Sequence, residues 1–185
     1  MNEFLNAGRE ISLSGTWKVL KADEDARRLI ADPELDDKDW LDIKVPGLWR
    51  SCNQLSDADS VLYRRHFELD QLPQGNRRWL VIDGLCYQGD VWFDGAYLGD
   101  TEGYFVEHNF EITQATTLPN KHLLAIEANC ETPSDRTNKR NITGVLQHSD
   151  SLNQDLNPGV LWRKIRIEEN GKTRTEDHRE KIDKA

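Results

Sequence analysis

The chain has 185 residues, enough for one domain with a full two-layer core and too few for two of ordinary size. An eight-stranded α/β barrel needs about 200 residues by itself, so this length does not hold a barrel beside another domain. A formal charge of −9 and a sequence pI near 5.1 argue against a nucleic-acid partner, because phosphates are repelled where no basic patch draws them in.

In chain order, residues 1–12 read as an N-terminal arm, without the basic region and long apolar run of a secretory signal. Residues 13–19 read as a first strand. Ala26, Leu29 and Ile30 then recur at helical spacing among charges, predicting a short helix over 23–30 closed by Asp32-Pro33. Residues 36–40 read as an acidic turn, 54–60 as a polar loop and 63–69 as a strand. Pro73, Gly75 and Asn76 mark the turn into a strand at 79–82. The β-rich runs 90–93 and 96–98 are joined by Asp94-Gly95, a dipeptide that tolerates the positive φ angles of a two-residue hairpin turn. A polar loop over 99–103 leads to a strand ending at Ile112, and residues 122–128 alternate as another. Residues 130–159 form a long polar connection, and 163–167 alternate as a final strand. The charged residues 171–185 read as a disordered tail. No segment approaches the ~20 apolar residues of a membrane span, so no membrane partner is expected.

Many short strands separated by turn signals predict an all-β antiparallel sandwich. Its inward face should carry Val19, Tyr63, Phe67, Leu80, Ile82, Val91, Phe93, Leu124, Ile126, Ile165 and Ile167. The basic groups Arg77-Arg78 and Arg136, Lys139 and Arg140 read as solvated loops. So do the acidic pairs Asp36-Asp37 and Glu168-Glu169, as turns. Arg64 and Arg65 point to opposite faces of a regular strand, so one of them needs a carboxylate partner.

Five segments add a resemblance. Gly84, Tyr87, Val91-Trp92-Phe93-Asp94-Gly95, Leu98-Gly99 and Gly103 fall at a spacing found in the N-terminal sugar-binding domain of family 2 glycoside hydrolases, the β-galactosidases, β-glucuronidases and β-mannosidases. Leu13-Ser14-Gly15-Thr16-Trp17-Lys18-Val19 is similar to that domain's opening strand, and Trp40 with Ile43, Val45-Pro46-Gly47 and Trp49 to its next segment. Tyr63-Arg64-Arg65-His66-Phe67 resembles another of its strands, and Asn157-Pro158-Gly159-Val160-Leu161-Trp162-Arg163 the strand that closes it. The pieces keep the family's order from Leu13 to Ile167. The resemblance implies a galactose-binding-like jelly roll over residues 13–170. It also implies that the two catalytic glutamates of glycoside hydrolysis belong to a downstream barrel. No catalytic residue is therefore expected in this chain, which alone should not hydrolyse aryl glycosides. No cofactor is expected either, and His66, His108 and His148 lack the spacing of a zinc site.

The candidate carbohydrate-binding residues cluster in the long connection, where Asn141, Gln147, His148 and Asp150 gather amide, imidazole and carboxylate groups suited to sugar hydroxyls. In the resembled enzymes a residue just before the closing strand reaches the barrel's active site. That position falls at Asn153 or Gln154, with Asp155 adjacent. Trp49, close to Gly47, is expected as an exposed stacking platform, and Glu102 and Tyr104 as part of the same rim. The plainer reading is a solvated connection whose polar groups satisfy one another, with Trp92 and Trp162 packed in the core.

Three functions remain open from the sequence. They are a non-catalytic carbohydrate-binding domain, the N-terminal fragment of a longer β-glycosidase, and a protein-interaction module that kept the fold and lost the sugar. The implied partners are a carbohydrate or glycoside and a catalytic barrel in cis or in trans. Cys52, Cys86 and Cys130 are odd in number and lack metal spacing, so they read as reduced thiols of a cytoplasmic protein. Cys86 and Cys130 each border an apolar run and should be buried.

Overall fold

Short apolar runs, several of them alternating with polar residues, build the described part of the chain into two facing antiparallel sheets. The computed structural model describes residues 8–118, 120–130 and 160–170. In chain order the strands are β1 (Arg9–Ser12), β2 (Gly15–Lys21), β3 (Leu41–Val45), β4 (Gly47–Leu48), β5 (Ser60–Leu69), β6 (Arg77–Ile82) and β7 (Leu85–Cys86). They continue with β8 (Gln88–Phe93), β9 (Ala96–Glu102), β10 (His108–Glu111), β11 (Asn120–Asn129), β12 (Val160–Leu161) and β13 (Ile165–Asn170). One sheet runs β1-β13-β6-β10 and the other β3-β2-β5-β11-β8-β9. A third sheet, β4-β12-β7, contains only two-residue strands. The architecture is an antiparallel jelly-roll sandwich. β1 falls inside the stretch read from sequence as an arm, and Arg9 pairs with Glu169 across it.

The core follows from register. Ile165 faces Ile82 and Ile167 faces Leu80, which puts four aliphatic side chains on one side of the smaller sheet. They meet Trp17, Val19, Tyr63, Val91, Phe93, Leu124 and Ile126 from the larger sheet in one buried cluster. Every residue expected on the inward face is buried except Phe67. Phe67 is half-buried and sets its ring 6.1 Å from that of Phe93. The outer face of the larger sheet has its own small core beneath the helix α1 (Glu24–Leu29), where Ile30, Leu62 and Ala125 pack with Trp40 and Trp92. Asp23 caps that helix by accepting the Ala26 amide at 2.8 Å, and acidic first-turn and basic last-turn residues suit its dipole.

The Asp94-Gly95 turn adopts φ of 48° and 86° at its two central residues, as a type I′ turn requires. Asp94 is held there because its carboxylate accepts the Leu123 amide at 2.7 Å and meets His122 Nδ1 at 2.6 Å.

Several expectations are corrected. The polar stretch 99–103 is not a loop: β9 continues to Glu102, because Asp100 and Glu102 face solvent while Thr101 is buried. The last strand starts at Ile165 rather than at Arg163. Asp37 is no solvated turn residue but the buried partner of Arg64, which is fully buried and donates Nε to Asp37 Oδ2 at 2.8 Å. Likewise Arg78 and Glu169 are buried together at 2.7 Å, closing one end of the sandwich. A buried guanidinium survives only with such partners. The expectation that Arg64 or Arg65 needs a carboxylate is met at Arg64. The charged tail, residues 171–185, and the cluster Arg136, Lys139 and Arg140 lie outside the described residues.

Candidate functional site

The small sheet at one end of the sandwich marks where the long connection leaves and returns. Val160 pairs with Leu48 on one side and with Cys86 on the other. Cys130, the last described residue before the connection, donates its amide to Asp59 O at 2.8 Å and sets Sγ 3.6 Å from Cys86 Sγ. Both ends of residues 131–159 are thus anchored at β7. The candidates Asn141, Gln147, His148, Asp150, Asn153, Gln154 and Asp155 all fall within that span, outside the described residues.

Of the remaining candidates, Trp49 is not an exposed platform. It is fully buried, its indole N–H donates to Ala58 O at 3.2 Å, and its ring lies 6.4 Å from that of Tyr63. The reason is local: β4 ends at Leu48 and a 3-10 turn, Trp49–Ser51, swings the side chain inward. Tyr104 is buried as well, with its ring 5.3 Å from Tyr87 and its hydroxyl raised well above the usual phenol range by burial and by the neighbouring Cys86. Glu102 is exposed and accepts the Tyr87 hydroxyl at 3.1 Å. Tyr87 therefore brings Glu102 and Tyr104 together at this end.

The open surface here is built by Leu48, Phe105 and Val106, which sequence reasoning passed over, with Arg163 and the half-buried Trp162 beside them. Phe105 and Val106 are 54% and 50% exposed, and Leu48 is 42% exposed. Phe105 meets Trp162 edge-on at 5.2 Å, and Trp162 is fixed by donating its indole N–H to Tyr104 O at 2.9 Å. The Arg163 guanidinium lies 4.3 Å from the Trp162 ring centroid and 5.7 Å from that of Phe105. This is a cation stacked on an aromatic corner, next to the anchors of the long connection. One sequence signal could have found it: Tyr104-Phe105-Val106 is an apolar triplet inside a polar stretch, too uniform for strand alternation. The contribution of Trp162, 57 residues further on, carries no such signal.

Beneath this surface sit two thiols. The contact between Cys86 and Cys130, together with burial, raises the Cys86 pKa, while the same contact and the nearby Arg50 hold Cys130 below its ordinary value. Arg50 is itself buried and donates to Cys130 O at 2.6 Å. None of the three cysteines forms a disulfide, and Cys52 alone is partly exposed. Reactivity follows exposure and thiolate character. Ellman's reagent is expected to modify one thiol of the three in native protein, and the other two only after denaturation. Rapid release of a second equivalent would show that the small sheet opens.

Among the described residues no group of three or more His, Cys, Asp or Glu side chains is placed to hold a metal ion.

With this geometry in place, comparison with known proteins gives a consistent result. A family model for the glycosyl hydrolase 2 galactose-binding domain-like fold matches residues 48–168. A β-glucuronidase of Formosa agariphila is 21% identical over 126 residues, which is 61% of this chain and 12% of that protein. β-Mannosidase B of Emericella nidulans is 32% identical over 90 residues, 49% of this chain and 11% of that one. The structure of Bifidobacterium dentium β-glucuronidase complexed with coumarin-3-O-glucuronide superposes with a TM-score of 0.66 at 23% identity, covering 89% of this chain and 30% of its own. The chain thus spans only 12% and 11% of the two curated relatives' lengths.

Proposed function

Since this chain belongs to the galactose-binding-like domains of glycoside hydrolase family 2, we propose that it is a non-catalytic carbohydrate-recognition domain that works beside a catalytic barrel, in cis or in trans. The observation that carries this reading is the aromatic corner of Phe105, Trp162 and Arg163 at the end where the long connection is anchored. A pyranose has an apolar C–H face, which suits an exposed ring such as Phe105, and hydroxyls, which suit a fixed guanidinium such as Arg163. Trp162 holds both in place and adds no rotamer cost on binding, because its indole N–H is already bonded. The polar residues Asn141, Gln147, His148, Asp150, Asn153 and Asp155, in the connection that starts and ends here, are the proposed hydrogen-bonding complement. The odd number of cysteines, without metal spacing, is the basis for placing the domain in a reducing, cytoplasmic setting.

The test titrates the chain calorimetrically with p-nitrophenyl β-galactoside, β-glucuronide and β-mannoside. At least one should bind saturably. Replacing Phe105 or Arg163 by alanine should weaken that binding about tenfold, while the melting temperature stays within about 2 °C of the parent. Saturable binding untouched by both substitutions would move the site elsewhere. No binding of any glycoside would favour a protein-interaction module.

A further inference from the structure

We propose a second carbohydrate site, on the outer face of the six-stranded sheet, where Tyr97, leaning on Trp92, is the platform for a neutral oligosaccharide and Asp90 and Asp100 accept its hydroxyls. Tyr97 is 55% exposed, yet it is not free to move. Its hydroxyl donates to Asp90 Oδ1 at 2.7 Å, and its ring leans on Trp92 at 5.6 Å between centroids with a 56° tilt. Trp92 is in turn packed from below against the small core of Ile30, Leu62 and Ala125. An exposed aromatic already fixed by neighbours loses little freedom when a ligand lands on it, which is why rigid tyrosines serve as binding anchors.

The backbone is arranged to make this possible. Tyr97 and Asp100 are three residues apart, which in a regular strand places them on opposite faces. A bulge intervenes: Val91 pairs with Gly99 but Trp92 pairs with Tyr97, so Leu98 is the extra residue and turns into the main core. Tyr97 and Asp100 therefore share the outer face with Asp90, the cross-strand partner of Asp100. Bulges of this kind re-aim side chains beside sites. The hydroxyl hydrogen bond persists across physiological pH, because Asp90, then burial and the charge of Asp100 push the Tyr97 phenol up to about 12.

Charge selects the ligand. Two carboxylates flank the ring in a chain of net charge −9, which repels uronates and sulfated sugars and suits neutral hexoses, whose hydroxyls are donors to an acceptor-only carboxylate. The patch offers a single exposed ring, far less than the roughly 800 Å² that a stable protein interface needs from each partner. Trp92 also lies four residues along β8, about 13 Å at 3.3 Å per residue, from Gln88, the cross-strand partner of Glu102 at the Phe105 end. The platform is thus separate from the Phe105 corner, and the two fail independently.

The experiment follows amide and indole resonances of the isotopically labelled full chain during titration with cellopentaose and mannopentaose, with an oligogalacturonate as the acidic control. Saturable shifts at Tyr97 and at the Trp92 indole are expected with a neutral oligosaccharide, and weaker ones with the acidic one. Tyr97→Ala should raise Kd about tenfold, and Tyr97→Phe, which keeps the ring but releases it from Asp90, about threefold. Phe105→Ala should leave these shifts unchanged. Absence of saturable shifts at Tyr97 and Trp92, or a Tyr97→Ala protein that binds like the parent, overturns the proposal. Shifts confined to the Phe105 corner overturn it too while supporting the first site.

Discussion

Arg64→Met is expected to destabilise the domain by about 3–5 kcal/mol, the range for removing one partner of a buried ion pair. The side chain is wholly buried and uses its whole guanidinium. Nε meets Asp37 Oδ2 at 2.8 Å, one terminal nitrogen meets Ile30 O at 2.6 Å and Asp32 O at 3.0 Å, and the other meets Asp32 O at 3.0 Å and Leu35 O at 3.3 Å. These acceptors line the chain between α1 and β3, which forms no strand and is tied to the sheet by this residue more than by the contacts of His66 and Lys18. Methionine keeps much of the apolar stem but leaves the Asp37 carboxylate, 11% exposed, with only His66 at 3.0 Å. A domain of this size moves about 2–4 °C per kcal/mol, so thermal melting should fall by roughly 10 °C. Adding Asp37→Ala to Arg64→Met should recover part of the loss, since the second change removes the stranded charge. A single-variant cost below about 1 kcal/mol would mean that water already replaces these contacts.

How much of this was legible beforehand depends on how local each determinant is. The Asp94-Gly95 hairpin is encoded in adjacent residues, and the alternation of β13 lies within six, so both could be read directly. Family resemblance supplied the order of strands, which alternation alone does not give. The buried pairs could not be read. Arg64 and Asp37 are 27 positions apart and Arg78 and Glu169 are 91 apart, and nothing in either neighbourhood distinguishes a buried charge from a solvated one. The same limit hid the Phe105 corner, whose members come from two separate strand ends. The bulge that turns Tyr97 outward depends on how β8 and β9 pair, so its consequence appears only once the register is known.

Trp49 separates the two kinds of reading most sharply, because they predict opposite results. An exposed platform would lose ligand affinity on truncation and keep its stability. The structure predicts the reverse: Trp49→Ala should cost about 3–5 kcal/mol, the range for emptying a buried tryptophan site. No part of the side chain reaches solvent, and the ring packs with Tyr63 while Arg50 lies 5.8 Å over it. The cost is mainly the cavity. Ala58 O, which would lose the indole N–H at 3.2 Å, still receives the Arg50 guanidinium at 3.3 Å and is not left bare. Trp49→Phe, which refills most of the volume, should therefore cost only about 1–2 kcal/mol. Phe105→Ala, at an exposed position, should stay within about 0.5 kcal/mol. Chemical denaturation of the three variants gives these values directly, and calorimetric titration of the folded Trp49→Phe protein should return the parent's glycoside affinity. A Trp49→Ala protein that melts with the parent yet loses glycoside binding would put that ring at the surface and the aromatic corner in second place.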